Sequence, residues 1–341
     1  MGRDSKTDKI IAAWLLICCA LVFVTLVQGG VTRLTRSGLS IVEWKPVSGV
    51  VPPLTASQWS ETFEKYKATP EYRLENQGMS LDEFKSIFWR EWSHRVLARA
   101  TGLAFLLPFL YFALSGQVAK RMVPRFVGMA ALVAFQGALG WYMVYSGLVK
   151  DPRVSHYRLT SHLLVACAFY SLMFWSALDL LFPRSREGAT ANDRLKRMGI
   201  WVIGLLSVTI ASGGLVAGLK AGFLYGTFPL MGGHWLPVHM FELRPVALNF
   251  LENRTTVQFD HRILGMLTGL AVCLFWLKAS AKDLPSPGKT AVHVLPFFLA
   301  LQIALGVLTL VYSVPVPLAA SHQANALILL TLCLSVQHRL C

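Results

Sequence analysis

Charged side chains are scarce in this sequence: 15% of the residues are Asp, Glu, Lys or Arg, whereas 54% are hydrophobic. This shortage excludes an ordinary soluble domain, in which about a quarter of the residues are charged, and predicts that most of the chain lies in lipid. Acidic residues are fewer than basic ones, 18 against 32, which gives a net charge of +14. Because the basic residues are spread over separate loops, they indicate membrane topology and contact with anionic lipid, and nucleic-acid binding is not expected.

Cysteine is absent from the longest polar segment, residues 32–93. The six cysteines lie in apolar segments or at the C-terminus: Cys18, Cys19, Cys167, Cys273, Cys333 and Cys341. Their positions predict neither a disulfide nor a CxxC redox pair. We interpret them as small apolar packing residues.

Long apolar runs, by contrast, are abundant, and eight of them reach the length of about 20 residues that a bilayer crossing takes. They lie at roughly 10–31, 95–115, 124–147, 159–182, 198–219, 260–280, 291–313 and 317–337. The first is too long for the apolar region of a signal peptide and has no clear cleavage site, so we expect it to remain in the mature protein.

Basic residues near the ends of the spans predict the orientation of the chain. They precede the first span and fill the loops after spans two, four and six: Arg3, Lys6, Lys9, Lys120, Arg121, Arg125, Arg184, Arg186, Arg194, Lys196, Arg197, Lys278, Lys282 and Lys289. Both termini are therefore expected to be cytoplasmic. The short N-terminus lacks an Arg- and Ser-rich transit segment, which favours a bacterial inner membrane over a mitochondrion.

The two halves of the chain resemble each other. HRVLARATGL from residue 94 matches HRILGMLTGL from residue 261, FQGALG from 135 matches LQIALG from 301, Ser-His at 161–162 matches 321–322, and Gly-Gly at 29–30 matches 213–214. Each half holds four spans, so we predict an all-α integral membrane protein whose eight transmembrane helices form two pseudo-twofold-related four-helix bundles.

The repeat also predicts the domain boundaries. An N-terminal half, residues 1–183, and a C-terminal half, residues 198–341, are joined by a cytoplasmic linker at 184–197. The loop at 32–93 is longer than its counterpart in the second half and contains several Trp and Pro residues, namely Trp44, Pro46, Pro52, Pro53 and Trp59. This excess predicts a cap over the first bundle.

Four histidines occupy equivalent positions near the ends of spans two, four, six and eight: His94, His162, His261 and His322. Two imidazoles on facing helices can serve as the axial ligands of a haem iron. Polar residues at such depth in a membrane usually have a functional role. Zinc would need further Cys or carboxylate ligands that neither half supplies in an evident place. The histidines without a partner in the other half are interpreted as ordinary loop or interface residues: His156, His234, His239, His293 and His338.

Several strings resemble the haem A synthase family, particularly its proteobacterial and mitochondrial type. They are QGGVTRLTRSGLS at 28–40, WKP at 44–46, EWSHR at 91–95, GALGWYM at 137–143, SGL at 146–148, YRLTSHL at 157–163, FDHR at 259–262 and ASHQ at 320–323. The resemblance covers nearly the whole chain. Some members carry a cysteine pair in the first outer loop; its lack here leaves the electron-transfer partner unidentified.

The resemblance implies an oxidoreductase that acts on CH groups and converts the C8 methyl of haem O to the formyl group of haem A in two successive oxidations. It implies that substrate haem O binds between His94 and His162, while haem b, the iron cofactor, is held by His261 and His322. The haem sites would lie toward the periplasm, and a haem O synthase is an expected partner. Five arginines are candidate partners of the haem propionates: Arg33, Arg36, Arg95, Arg158 and Arg262.

One ionisable difference separates the two ligand strings: Glu91 precedes His94 where Gln258 precedes His261. If a helix has begun by then, the spacing places Glu91 on the same helical face as His94. A carboxylate can take a proton, whereas an amide cannot, so Glu91 is the predicted catalytic residue. The alternative is a carboxylate that merely stabilises the start of a helix.

Two other functions share parts of this pattern. A di-haem cytochrome b that only transfers electrons would also use paired histidines, but it gives no reason for the difference between Glu91 and Gln258. A transporter built from repeats would place its site at broken helices near the midplane of the membrane, whereas these histidines lie near the span ends.

Overall fold

The structure of the chain, a computed structural model, describes residues 5–45, 48–149, 152, 154–183 and 193–341. Pro46 of the predicted cap and the basic residues Arg3, Arg184 and Arg186 lie outside these ranges. The helices are α1 Ser5–Leu34, α2 Ala56–Lys67, α3 Pro70–Leu74, α4 Leu81–Leu114, α5 Val123–Val149, α6 His156–Leu181, α7 Asp193–Gly218, α8 Asn249–Glu252, α9 Arg254–Ser280, α10 Gly288–Val311 and α11 Val316–Leu340.

The described residues contain no β-strand, and one isolated bridge joins Met231 and His234. Eight helices, α1, α4 to α7 and α9 to α11, are long and apolar enough to cross a membrane. Each coincides with one of the predicted spans and ends no more than two residues before that span does, which confirms the all-α class and the multi-pass membrane character. Helix α7 already begins at Asp193, so the end of the predicted linker at 184–197 is helical, while 184–192 lies outside the described residues.

The chain divides into two compact units. The first unit is Ala20–His162, and the second combines the segment up to Cys19 with Leu163–Cys341. Helices α1 and α6 therefore contribute residues to both. The two repeat-based halves and their pseudo-twofold relation stay predictions.

In the first unit, helix α4 begins far earlier than the predicted span at 95–115, and it replaces the last part of the expected loop at 32–93. Ser80 and Glu83 form a reciprocal capping box that satisfies free N–H groups at the helix start. The extra turns present Phe84, Ile87 and Phe88 to a buried aromatic cluster with Phe63 of α2. Burial of this apolar face explains why the helix extends beyond the apolar span.

The segment between α1 and α4, residues 35–80, is hereafter the cap. Thr55 and Gln58 form a second capping box at the start of α2. Tyr66 at the end of α2 is fully buried and stacks on Phe84, with ring centroids 5.0 Å apart. The cap therefore packs on the first turns of α4, and the two share one apolar core.

In the second unit, α7 packs on α9 and α10 packs on α11. Asn253 caps α9 by accepting from the N–H groups of Thr255 and Thr256. Helix α6 is tied to α11 by a hydrogen bond between the Tyr170 and Thr331 hydroxyls, 2.8 Å long. These contacts hold α9 and α11, which carry two of the four predicted ligands.

Candidate functional site

The four matched histidines form two pairs, and each pair lies within one unit. His94 on α4 and His162 on α6 belong to the first unit and are close enough for an electrostatic interaction. His261 on α9 and His322 on α11 belong to the second unit and interact in the same way. The structure therefore brings together the partners that the repeat predicted.

Every one of these imidazoles packs against a glycine of a neighbouring helix. A Cβ atom at Gly29 would lie 2.8 Å from Cε1 of His94. The equivalent distances are 3.1 Å for Gly140 and His162, 3.1 Å for Gly213 and His261, and 2.9 Å for Gly306 and His322. Separations of this size leave no room for a methyl group. The glycines therefore set how closely each ring approaches the adjacent helix.

In each unit, a pair of threonine hydroxyls lies about two helical turns beyond the first histidine of that unit. Thr25 and Thr101 are joined by a hydrogen bond of 3.0 Å, and Thr209 and Thr268 by one of 2.6 Å. The sequence repeat matches Thr101 with Thr268. The two units thus reproduce the same ligand environment in their tertiary contacts as well as in their sequence.

The two environments differ at Nδ1 of the first histidine in each unit, His94 or His261. In the second unit, Ser212 Oγ lies 2.7 Å from Nδ1 of His261 and donates its proton to the Thr209 carbonyl at 2.8 Å. The hydroxyl must then accept from Nδ1–H, which leaves the Nε2 lone pair for a metal. In the first unit, Nδ1 of His94 has no hydroxyl partner among the described residues, and the Thr25 backbone is the group that interacts with this ring.

Glu91 lies three residues before His94 in α4 and is almost fully buried, with 2% of its surface exposed. One carboxylate oxygen accepts from Arg95 at 2.6 Å, and the other accepts from the Ser40 hydroxyl at 2.6 Å and the Ile41 N–H at 2.9 Å. Because α4 begins at Leu81, Glu91 is far from the first turn, where a helix-end charge would act. The helix-end alternative therefore does not fit.

The second unit contains the counterpart of this network without the carboxylate. Gln258 donates to the Tyr225 carbonyl at 3.0 Å, and Arg262 donates to the same carbonyl at 2.9 Å and to that of Thr227 at 2.7 Å. In both units, two side chains one helical turn apart thus bind the segment that precedes their helix. The pair is Glu91 and Arg95 in the first unit, and Gln258 and Arg262 in the second. Only the Glu91 version places an ionised acceptor there.

The five candidate arginines have different surroundings. Arg95 also donates to the Ile41 carbonyl at 3.0 Å. Arg36 pairs with Glu75 at 3.5 Å, and Arg158 lies over the Tyr142 ring, 4.4 Å from its centroid. Arg33 is half-buried. A guanidinium has five donors, so Arg95 and Arg262 retain capacity for an additional anionic partner.

The donor set fits a haem iron in each unit. Two imidazoles lie within electrostatic range of each other in each unit, and glycines permit each ring to approach the neighbouring helix closely. The Ser212 contact orients one ring as metal-binding histidines usually are. Among the described residues no group of three or more His, Cys, Asp and Glu side chains comes together, so neither pair has the further ligands that a zinc site takes.

Sequence reasoning missed four features of these sites. They are the glycine contacts, the role of Ser212, a buried carboxylic acid at Glu71 in the cap, and His338, which is 1% exposed and bonds to Asp179 at 3.0 Å. His338 had been interpreted as an ordinary interface histidine. The repeat did pair the glycines, but it could not show which side chains they face.

Fold and sites together define a multi-pass helical membrane protein with two pairs of histidines suited to haem. The cytochrome oxidase assembly protein family, COX15-CtaA, matches residues 12–334 of the chain. The chain therefore belongs to this family.

Individual relatives agree with this assignment. The chain is 51% identical to the heme A synthase of Nitrosospira multiformis over 98% of this chain and 96% of that protein. It is 47% identical to the heme A synthase of Nitrosomonas eutropha over 99% and 96%. A heme A synthase-mitochondrial ferredoxin fusion protein of Schizosaccharomyces pombe is 42% identical, over 99% of this chain and 62% of that protein.

Proposed function

We propose that this protein is a haem A synthase, an oxidoreductase that converts the C8 methyl of haem O to the formyl group of haem A. The observation that carries the proposal is the identity with heme A synthases along nearly the whole chain. The two half-buried histidine pairs supply the sites that such a reaction needs, one for a substrate haem and one for a resident haem.

We assign haem O to His94 and His162 and haem b to His261 and His322. The Ser212 contact supports this division, because a resident cofactor benefits from an axial ligand held in one orientation and tautomer. Among the described residues no hydroxyl contacts Nδ1 of His94 in this way, and only the Thr25 backbone interacts with its ring, which suits a ligand that must release its haem. When bound, haem b supplies one-electron transfer.

Glu91 is the proposed catalytic residue of the haem O site. Its carboxylate takes a proton during oxidation of the methyl group, while Arg95 and the Ser40 hydroxyl hold it in place. The guanidinium also keeps the charge of the buried carboxylate balanced. Gln258 cannot accept a proton in this way, which agrees with the second site holding a cofactor.

The arginines near the ligands are proposed to bind haem propionates. Arg95 and Arg262 each follow a ligand histidine directly and are largely buried, with 12% of the Arg95 side chain exposed. A buried guanidinium gives a propionate carboxylate a charge-assisted hydrogen bond. The same role for Arg33, Arg36 and Arg158 remains an expectation from their place in the sequence.

The fusion relative combines a heme A synthase with a ferredoxin, which supports an electron-transfer protein as the redox partner of this chain. A haem O synthase is proposed as the source of the substrate. We further propose a bacterial inner membrane with both termini in the cytoplasm and the haem sites toward the periplasm. The distribution of Lys and Arg over the loops supports that orientation.

Haem analysis of the purified protein tests the function. Expression in cells that make haem O should yield protein containing haem B together with haem O or haem A, and the cells should accumulate haem A. A di-haem cytochrome b would instead contain two haem B groups per chain and leave the cellular haem O unchanged. That result would overturn the proposal.

A further inference from the structure

A second buried carboxyl group lies in the cap, at Glu71 on α3. It is 6% exposed, although few carboxyl groups are buried without a cationic partner. The Tyr66 hydroxyl donates to its Oε2 at 3.2 Å, and the Asn76 amide donates to the Tyr66 oxygen at 2.7 Å. Tyr66 in turn stacks on Phe84 in the aromatic core of the cap. Glu71 therefore lies in largely apolar surroundings with one polar chain leading toward the half-buried Asn76.

The segment at residues 36–41 connects this cluster with Glu91. Ile41 packs against the aromatic cluster that contains Tyr66, while its N–H donates to Glu91 at 2.9 Å. At the other end of the segment, Arg36 pairs with Glu75 at 3.5 Å, one turn after Glu71. A single stretch of chain thus contacts the catalytic carboxylate on one side and the surroundings of Glu71 on the other.

Charge couples the two carboxyl groups. Burial raises the pKa of Glu71 to about 8, and repulsion from the Glu91 carboxylate is the next largest cause. Glu75 raises the pKa slightly further, whereas the hydrogen bond from Tyr66 lowers it. At neutral pH, Glu71 is therefore mostly protonated while Glu91 forms the ion pair with Arg95.

We propose that Glu71 is the proton-releasing partner of Glu91: when Glu91 takes a proton from the reaction, Glu71 gives up its own proton to water at the surface of the cap. This inference rests on the proposed catalytic role of Glu91. Glu71 acts through Glu91 and does not touch the substrate, so it is a positioning residue for the proton and not a catalytic one.

The proton balance is simple. A proton leaving the reaction forms an O–H bond on Glu91, which removes the repulsion that raises the pKa of Glu71 in addition to burial and so lowers that pKa. The O–H bond of Glu71 then breaks, and its proton passes to water near Glu75, which is exposed. Transfer of the proton from Glu91 to Glu71 restores the resting pair. No electron moves in these steps.

Infrared titration of the full-length protein in lipid nanodiscs measures the coupling without turnover. We expect a protonated carboxyl band with a midpoint near pH 8, assigned to Glu71 by its loss in Glu71→Gln. In Glu91→Gln the midpoint should move to lower pH, because the repelling charge is gone. It should also fall in Glu75→Gln and rise in Tyr66→Phe. Glu64→Gln, an exposed charge loss in the same cap, is the matched control and should leave the midpoint unchanged.

Turnover provides the second measurement. Glu71→Gln keeps an oxygen that accepts from Tyr66, so it should fold like the wild type. We expect its haem A formation to be about tenfold slower at pH 7, less than the 10²–10⁴-fold loss typical of a missing general base. The pH dependence near pH 8 should disappear in Glu71→Gln, and it should persist in Glu64→Gln.

The outcomes separate this inference from the proposed function. Loss of haem A in Glu91→Gln with wild-type rate and pH profile in Glu71→Gln would overturn the pairing and leave the catalytic role of Glu91 intact. A wild-type level of haem A in Glu91→Gln would remove the basis of both the pairing and the catalytic role of Glu91. A Glu71 midpoint that does not move in Glu91→Gln would overturn the coupling even if Glu71→Gln failed to fold, because Glu71 is still present in that variant.

Discussion

At the scale of single residues, the four ligands depend on what lies behind each ring. A glycine next to an imidazole removes the side chain that would otherwise push the ring away from the neighbouring helix. A hydroxyl or carbonyl then decides which ring nitrogen carries the proton. The glycine contacts occur in both units, whereas the Ser212 hydroxyl contact occurs in the second. We therefore regard the glycines as a requirement shared by both proposed haem sites, and Ser212 as one specific to the proposed cofactor site.

Gly213→Ala should weaken haem b binding. The added Cβ would lie 3.1 Å from Cε1 of His261, so the ring must move. Overpacking of this kind costs about 1–3 kcal/mol, or roughly 5- to 150-fold in affinity. Gly204→Ala on the same helix is the control, since a Cβ there meets no described atom within 4 Å and should only favour the helix. Haem content and the low-spin spectrum measure the effect; equal haem loss in both variants would contradict it.

Glu91→Gln tests the proposed catalytic carboxylate. The amide oxygen can still accept from Ser40 and Ile41, so haem b should remain bound, while Arg95 loses its counter-charge and the protein becomes less stable. Loss of proton acceptance should slow haem A formation by about 10²–10⁴-fold. The ratio of haem A to haem O in cells gives the answer. A wild-type ratio would exclude Glu91 from the mechanism.

At the scale of elements, the early start of α4 places Glu91 on the same helix as His94, in the proposed haem O site. A span that began near residue 95 would leave Glu91 in a loop with no fixed relation to His94. The capping box at Ser80 and the aromatic contacts of the added turns hold the helix, and the cap packs on those same turns. Cap and catalytic carboxylate therefore depend on one another.

Phe84→Ala should disturb the first site without removing haem b. Phe84 is fully buried at the centre of the cap cluster, and loss of such a ring costs about 3–5 kcal/mol. Faster hydrogen exchange is expected at the start of α4, together with reduced haem A formation. Phe84→Leu, which keeps most of the volume, should show a smaller change in both. Unchanged exchange in Phe84→Ala would show that the cap does not hold the helix.

At the scale of the whole molecule, the chain holds two similar pairs of ligands in two compact units. The same hydroxyl pairs, glycine contacts and loop-binding residues occur in each. This similarity agrees with two proposed haem sites in one chain, and the departures from it, Glu91 and Ser212, agree with the different roles proposed for the two sites.

Replacement of single ligands should separate the two sites. His261→Met or His322→Met should abolish or strongly alter the low-spin haem b spectrum, because an axial ligand and its field are lost. His94→Met or His162→Met should retain that spectrum and stop haem A formation. Spectra and extracted haems of all four purified variants provide the measurement. A normal haem b spectrum in both His261→Met and His322→Met would reverse or overturn the assignment.

The sequence by itself determined the class of protein, the eight spans, which histidines pair with each other and the difference between Glu91 and Gln258. These features follow from the length of the apolar segments and from the internal repeat, both of which can be recognised in the sequence without knowledge of tertiary contacts. Only the tertiary structure decided where α4 begins, which glycines face the ligands, that Ser212 orients His261, and that Glu71 is buried close to Glu91. Each of those depends on contacts between residues far apart in sequence, where packing overrides the local pattern.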